Sequence, residues 1–434
     1  MMKIIFDGRV LGNIQNKNMT RTGIFFSAYN LFLEMSRNKD IEVLLYSDVK
    51  AFYAIKKYSQ YDENFRDIKN VFKYSKLTQW VSYGFWLRMR FLPKNIIEIF
   101  FAKLFTLVLL ILKRMFCIFD KSNLSKNEQY VFFSPMEKIP SFFHNNDKVI
   151  KFTLLHDVIP ILGQKHYTLK KNDWFCELFD SINPNDYYFA NSVYTRKDFI
   201  KYCSSIDANK ITVTYLGANE NFYPNKDEKK NRLIKEKYHI PQDQQYIFSL
   251  CSIEPRKNLL FAVENFIRFV QTYQINDVVF VLSGAHWKEF IKTLQDKIQD
   301  LGEYGNKIIR AGYVDDKDLA NLYSHSLCSV YLSTYEGFGL PALEAMSCGT
   351  PLIASNATSI PEVVGDGGVL ISPSDDLALQ DAFKKIYFDS AFAKELSLKG
   401  IKQAKKFSWK KCATQMIEKM KAVLEQKNLD SKCL

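Results

Sequence analysis

Ser333-Thr334-Tyr335-Glu336-Gly337-Phe338-Gly339-Leu340-Pro341-Ala342-Leu343-Glu344-Ala345-Met346-Ser347-Cys348-Gly349-Thr350-Pro351-Leu352-Ile353-Ala354-Ser355 is the stretch that decides the architecture. A β-rich run at 329–332 enters a turn with two glycines, a helical pattern follows, Gly349 stops it, and strand resumes at 351–354. Strand, turn, helix and strand in so short a span make a βαβ unit of a parallel sheet. Gly337 and Gly339 let the backbone of Gly337-Phe338-Gly339-Leu340 approach a ligand closely, and the helix starting near Leu340 turns its N–H groups and positive dipole end toward an anion. Glu336 lies in the turn and Glu344 about one helical turn beyond Leu340. Carboxylates accept hydrogen bonds from vicinal hydroxyls, so a pair flanking an anion seat suits a ribose or hexose carried on a diphosphate.

Outward from this unit the same rhythm recurs. The second half gives strands at 246–251, 278–283, 307–311, 329–332, 351–354 and 369–371, with helices from about Asn258, Trp287, Asp316, Gly339 and Asp375. The first half gives strands at 3–7, 41–46, 130–133, 150–155, 187–190 and 211–215, and helices at 23–36 and 192–202. A polar run from Pro224 to Asn231 is the linker candidate. The expectation is an α/β protein of two doubly wound domains, 1–222 and 223–405, facing a central cleft, with a helix at 406–434 after a break at Phe407-Ser408-Trp409. Ligands of such sheets sit beyond the carboxyl ends of the strands.

Arg256 and Lys257, in Glu254-Pro255-Arg256-Lys257-Asn258, stand where the first strand of the second domain gives way to a helix. Guanidinium, ammonium and helix N-terminus together suit a diphosphate leaving group. In the first half, Asp7-Gly8 ends strand one and Thr20-Arg21-Thr22-Gly23 opens the next helix without the GxGxxG of a dinucleotide site. His156-Asp157 ends another strand, where the pair could orient an acceptor or polarise its hydroxyl, or simply be structural; His166 is a lesser candidate. Ser192 caps the following helix.

The Glu336–Glu344 block, with Gly349-Thr350-Pro351 and Ser359-Ile360-Pro361-Glu362-Val363-Val364-Gly365-Asp366-Gly367-Gly368 after it, resembles the signature of glycosyltransferase family 4, retaining enzymes of the GT-B fold built from two Rossmann-like domains. The resemblance implies that Glu336 touches the donor sugar's hydroxyls and Glu344 holds the nucleotide ribose. It implies that Arg256 and Lys257 clamp the diphosphate, that Gly23 borders diphosphate and acceptor, and that the C-terminal helix near Trp409 crosses back onto the first domain. The Glu-Pro-Arg-Lys-Asn wording is most similar to bacterial polysaccharide mannosyltransferases. Ala218-Asn219 departs from the family's Gly-Val-Asp. The resemblance thus implies a metal-independent hexosyltransferase with a nucleotide-sugar donor, GDP-mannose first. The donor is a substrate, and no cofactor is expected. The acceptor would be a glycan or glycolipid of bacterial surface polysaccharide assembly, such as O-antigen or capsule. The alternative is a catalytically silent nucleotide-binding scaffold of the same fold.

Composition sets the outer bounds. In 434 residues, 47% hydrophobic and 24% charged, 59 Lys+Arg against 47 Asp+Glu give a net charge of +12. The cations are scattered in pairs such as Lys113-Arg114, Lys170-Lys171, Lys229-Lys230 and Lys410-Lys411, so anionic small molecules or a membrane face are favoured over nucleic acid. Eight cysteines without a close CxxC pair, several in apolar runs, read as reduced thiols of a cytoplasmic protein, and the N-terminus reads as a strand rather than a signal peptide. An aromatic, apolar insertion at about 80–120 contains the uncharged nine-residue run from Leu104 to Leu112. At ~1.5 Å per residue that covers about half of a ~30 Å hydrocarbon core, too little for a span. Two readings stand equally: a helix in the membrane interface with Lys103 and Arg114 on one face, or a greasy helix packed on the first sheet. Asp316-Lys317-Asp318 is formally a metal-binding Asp-x-Asp, but its place at a helix start explains its carboxylates by the dipole.

Overall fold

The computed structural model describes residues 1–15, 23–58, 62–65, 68–91, 93, 95–116, 121–125, 127–144, 146–162, 173–284 and 288–430. Thr20, Arg21, Thr22, His166, Lys170, Lys171 and Trp287, named above, lie outside the described residues, as do two of the eight cysteines, Cys117 and Cys433.

The first half supplies β1 (Met2–Asp7), β2 (Ile41–Tyr46), β3 (Lys69–Asn70), β4 (Phe72–Lys73), β5 (Lys121–Ser122), β6 (Tyr130–Ser134), β7 (Val149–Leu155), β8 (Tyr187–Ala190) and β9 (Ile211–Val213). Seven of these form one all-parallel sheet in the order β3-β2-β1-β6-β7-β8-β9, while β4 and β5 pair as a small antiparallel ribbon. The second half supplies β10 (Gln245–Leu250), β11 (Val278–Ser283), β12 (Ile308–Gly312), β13 (Cys328–Tyr331), β14 (Leu352–Ser355) and β15 (Val369–Ile371), parallel in the order β12-β11-β10-β13-β14-β15.

Apolar runs without alternation make these central strands. Ile4, Ile5 and Phe6 are all fully buried, as residues of a strand covered on both faces must be. The helix Gly23–Ser36 buries Phe25, Ala28, Leu31, Phe32 and Met35, one stripe at helical spacing, and Phe32 meets Phe6 edge-on at 5.3 Å between ring centroids. In each sheet the strand order reverses beside the first strand, between β1 and β6 and between β10 and β13. The loops leaving β10 and β13 therefore diverge at one crevice, and they carry Arg256, Lys257 and Glu336.

After the helix Ser390–Ala404 the chain leaves the second domain. Ser408 pairs in parallel with Ala218, and the helix Trp409–Asp430 packs on Gly23–Ser36, with Lys421 3.3 Å from Asp40. Gly217 is required at this crossing, because a Cβ there would stand 2.3 Å from the Trp409 nitrogen. The insertion becomes two helices, Lys76–Arg90 and Ile96–Phe116, joined so closely that a Cβ on Gly84 would lie 2.6 Å from Leu109 Cδ2. Its first helix docks on the helix Val49–Tyr58, where the Tyr53 N–H donates to Ser82 Oγ at 2.8 Å. Among the described residues no helix is long and apolar enough to cross a membrane. The described cysteines Cys176, Cys203, Cys251, Cys328, Cys348 and Cys412 are all free thiols.

Candidate functional site

The loop after β10 closes with a single tight turn, Pro255–Lys257, ended by Asn258 in the left-handed conformation (φ 57°). Asn258 is held there by a 2.7 Å bond from Nδ2 to the Pro373 carbonyl. Left-handed backbone is tolerated better by Asn than by most side chains. The turn throws both cations toward β13. Lys257, 7% exposed, lies 5.1 Å over the Tyr331 ring and donates to the Tyr331 hydroxyl at 3.2 Å. Arg256 bonds the Tyr335 carbonyl at 2.9 Å and pairs with Glu254 at 2.9 Å.

Both cations converge on Glu336. Its Oε1 accepts Lys257 Nζ at 2.5 Å and Arg256 Nη1 at 2.8 Å. Burial alone would raise this carboxyl's pKa, but Lys257 and then Arg256 outweigh it and hold it down at about 2. The loop around Glu336 is tied from the far side: the Glu336 N–H donates to Thr358 Oγ1 at 2.9 Å, and Ser359 Oγ donates to the Glu336 and Phe338 carbonyls. Thr358 is itself left-handed at φ 53°.

Gly339, at φ 113°, is the N-cap of the helix Leu340–Ser347 and needs to be glycine. The anion seat expected here is narrower than the sequence suggests. Pro341 has no N–H, and Ala342 and Leu343 already bond the Gly339 carbonyl at 3.1 and 3.3 Å, which leaves Leu340 as the first-turn donor. Gly337 also proves to serve a different neighbour. A Cβ there would stand 2.0 Å from the His156 carbonyl oxygen and 2.9 Å from Asp157 Cβ, so its close approach is to the opposite domain. Phe338 is buried beside Phe407 and Tyr215, at 6.0 and 6.4 Å between ring centroids, rather than lining open space.

The first domain meets this loop through the start of the helix Val193–Tyr202. Ser192 caps that helix by accepting the Thr195 N–H at 2.9 Å, and its Oγ also donates to the Gly337 carbonyl at 2.7 Å. Thr195 Oγ1 reaches the Gly337 and His156 carbonyls, each at 3.1 Å, and Tyr335 donates to Asp198. Glu362 of the second domain accepts the N–H groups of Val193 and Tyr194, each at 2.8 Å. A carboxylate on two helix N-terminal donors is a strong charge-assisted contact. From the sequence alone Ser192 is a plain helix cap, and Thr195, Asp198 and Glu362 have no assigned role. The acid in Ser359-Ile360-Pro361-Glu362 is plain in the sequence, but its partners are 168 residues away or more.

His156 is 8% exposed, and its Nε2–H donates to the Pro135 carbonyl at 2.7 Å. Burial lowers its pKa to about 4, so the ring is neutral and keeps only Nδ1 as an acceptor. That fits orienting a hydroxyl better than taking its proton. Asp157 beside it is pushed up to about 6 by burial, against the pull of the Ile159 N–H and of Arg256. Gly23 faces the same crevice: a Cβ there would come 3.2 Å from Leu340 Cδ1.

Glu344 stands apart from the cations. Half-buried on its helix, it is pushed up to about 8, first by burial and then by Asp316. The crevice thus holds one carboxylate locked between two cations, while the Glu344 carboxyl, four residues past Leu340 in the helix that Gly339 caps, keeps its proton at neutral pH. Among the described residues no cluster of three or more His, Cys, Asp or Glu is placed to hold a metal ion. Asp316 starts its helix, and Asp318 accepts Lys237 and Tyr238 at 2.7 and 2.9 Å.

Comparison with known proteins gives the family and the fold. The family of glycosyl transferases group 1 matches residues 230–407. The chain is 31% identical over 306 residues to the O-antigen chain mannosyltransferase B of Escherichia coli, covering 68% of this chain and 74% of that one. It is 29% identical over 272 residues to the serotype-specific mannosyltransferase WbdA of Escherichia coli, covering 62% of this chain but only 33% of that longer protein. Among solved structures, the sucrose-phosphate synthase of Thermosynechococcus elongatus superposes with a TM-score of 0.65 at 17% identity, over 98% of this chain and 100% of that one. HepE of Anabaena, crystallised with UDP and glucose, gives 0.65 at 18% identity over 97% and 100% of the two chains. At such identities the likeness is one of fold.

Proposed function

From the premise that the chain belongs to the group 1 glycosyltransferases and has their GT-B fold, we propose that it moves a mannosyl unit from a nucleotide-diphosphate donor, GDP-mannose, to a lipid-linked surface glycan, with retention of configuration. The observation that carries this reading is Glu336 held between Arg256 and Lys257 at the reversal point of the second sheet. Support for mannose comes from the names of the relatives, O-antigen chain mannosyltransferase B above all.

In this reading the donor's diphosphate takes the place of the Glu336 carboxylate against Arg256, Lys257 and the Leu340 N–H. Glu336 turns to the sugar hydroxyls, and Glu344 accepts the ribose. Two fixed cations and a helix end stabilise charge as the diphosphate leaves. The acceptor hydroxyl approaches from the first domain, past His156 Nδ1 and Asp157, on the face the leaving group vacates, so no enzymic nucleophile is needed. Closure across Ser192, Thr195 and Gly337 keeps water from the donor. The work is placed at the inner face of the cytoplasmic membrane, where a lipid-linked acceptor would be met.

Calorimetric titration with GDP, UDP and dTDP, followed by turnover with the matching sugar nucleotide and NMR of the product's anomeric proton, tests it. GDP binding with α-mannoside formation is expected. A protein that binds none of the three, or yields a β-linkage, refutes it.

A further inference from the structure

The helical hairpin of the first domain takes no part in the crevice. Of the 21 residues in Ile96–Phe116 only Ala102 and Leu109 are buried, and these two, seven apart, mark the side that faces the body. Ile97, Phe100, Leu104, Leu107, Ile111 and Met115 follow one another at helical spacing on the opposite side, exposed by 68, 63, 45, 54, 52 and 54%. Apolar surface continues round one flank through Phe101 and Val108, exposed by 61 and 43%. The other flank carries Lys103 and Arg114, eleven residues or about three turns apart and both exposed. Trp80, on the neighbouring helix, is 73% exposed.

A protein groove covers one side of a helix. Apolar surface that wraps most of the circumference, with Ile96, Ile99 and Leu110 exposed beside Lys103 and Arg114 on the cationic flank, fits a helix sunk sideways into an apolar layer whose long cationic side chains reach up to the phosphates. The net charge of +12 acts in the same direction. No helix among the described residues is long and apolar enough to cross a membrane, and an exposed stripe running the length of Ile96–Phe116 suits a helix lying in the plane of such a layer.

We infer that this hairpin seats the protein on an anionic phospholipid bilayer, with the outer stripe of Ile96–Phe116 among the acyl chains and Lys103 and Arg114 against the headgroups. The choice of a lipid surface rests in part on the lipid-linked acceptor proposed above. It also gives that acceptor a geometry: the hairpin belongs to the domain from which the acceptor approaches.

The test is flotation of the full chain with vesicles of phosphatidylethanolamine and phosphatidylglycerol, and with vesicles of phosphatidylcholine alone. The wild-type protein should float with the first and much less with the second. Lys103→Glu with Arg114→Glu should weaken binding by at least about fivefold per cation at low salt. The triple variant Phe100→Ser, Leu104→Ser, Ile111→Ser should not float at all. All three positions are exposed, so its thermal unfolding should stay that of the parent, which separates lost docking from lost folding. A wild-type chain that stays at the bottom of the gradient overturns the inference. So does one in which neither variant changes flotation, or a dimer that the triple variant splits while no form touches vesicles. Flotation requires no turnover: intact docking with no mannosyl transfer would sink the reaction alone, and transfer to a soluble acceptor without docking would sink the docking alone.

Discussion

Glu336→Gln should tighten the binding of bare GDP while removing most sugar transfer. In the free protein Glu336 Oε1 already occupies both cations, at 2.5 and 2.8 Å. Its pKa falls from 4.5 to about 2, and about 2.5 units at ~1.36 kcal/mol each is ~3.4 kcal/mol of favourable interaction with its surroundings. That is a net figure, already reduced by the cost of burying the carboxylate, and it sets the scale of what a diphosphate must displace to take Arg256 and Lys257 for itself. Gln keeps the shape and gives up the charge. If a third to a half of this net figure is recovered, GDP gains about 1–2 kcal/mol, or ~5–30-fold in affinity. Transfer from the sugar nucleotide should fall by about a hundredfold, because the group that grips the sugar's hydroxyls in the transition state is weakened. Calorimetry with GDP and a single-turnover assay with GDP-mannose read the two effects separately. The pH dependence has a definite sign. A depressed carboxyl contributes stability that is complete above about 4.5 and is lost as pH falls toward 2, so the variant should lose that acid limb. GDP binding that weakens in step with turnover would refute the idea that Glu336 and the diphosphate compete for one seat.

Three further outcomes follow from Gly337 and Glu344. Gly337→Ala puts a Cβ 2.0 Å from the His156 carbonyl, a clash between domains that opening relieves; turnover should drop by about a hundredfold, with a larger radius of gyration in solution scattering, and a wild-type rate would count against it. Glu344, pushed up to about 8, is neutral below that pH, and a carboxylate is the better acceptor for ribose hydroxyls. GDP affinity should therefore rise by up to about tenfold per pH unit toward pH 8 and level off beyond, while Glu344→Gln should be flat; equal slopes in both proteins would remove the ribose role. In the ligand-free protein the sense is opposite: stability should decline as pH climbs from about 4.5 to 8, since the unfolded chain ionises Glu344 more easily.

The second domain was legible because its strands are short β-rich runs, several closed by glycine or proline, as at Gly284, Gly312 and Pro373, with helical patterns between them. Its expected strands lie within a residue of those observed, 278–283 and 369–371 without any shift. The helix Gly23–Ser36 and the Ser192 cap were legible for the same local reasons. Two-residue strands such as β3 to β5 carry no periodicity to read. Arg256, Lys257 and Glu336 could be nominated from local chemistry, yet nothing local says that the carboxylate sits on the cations. That pairing spans 79 residues and comes from the strand order. Gly337 marks the limit well: its need to be glycine was visible, but the atom it must avoid belongs to the other domain.

The pairing of Ala218 with Ser408 has a mechanical meaning. The polypeptide passes between the lobes twice, outward after Gly217 and homeward before Trp409, and the two passages run side by side. A single tether would let the lobes swivel and twist freely. A door hung on paired straps can swing only about the line they share, and here that line lies beside Tyr215, Phe338 and Phe407. For lobes hung in this way, closing after any opening brings Gly337 back toward the same place under His156 without a wide search.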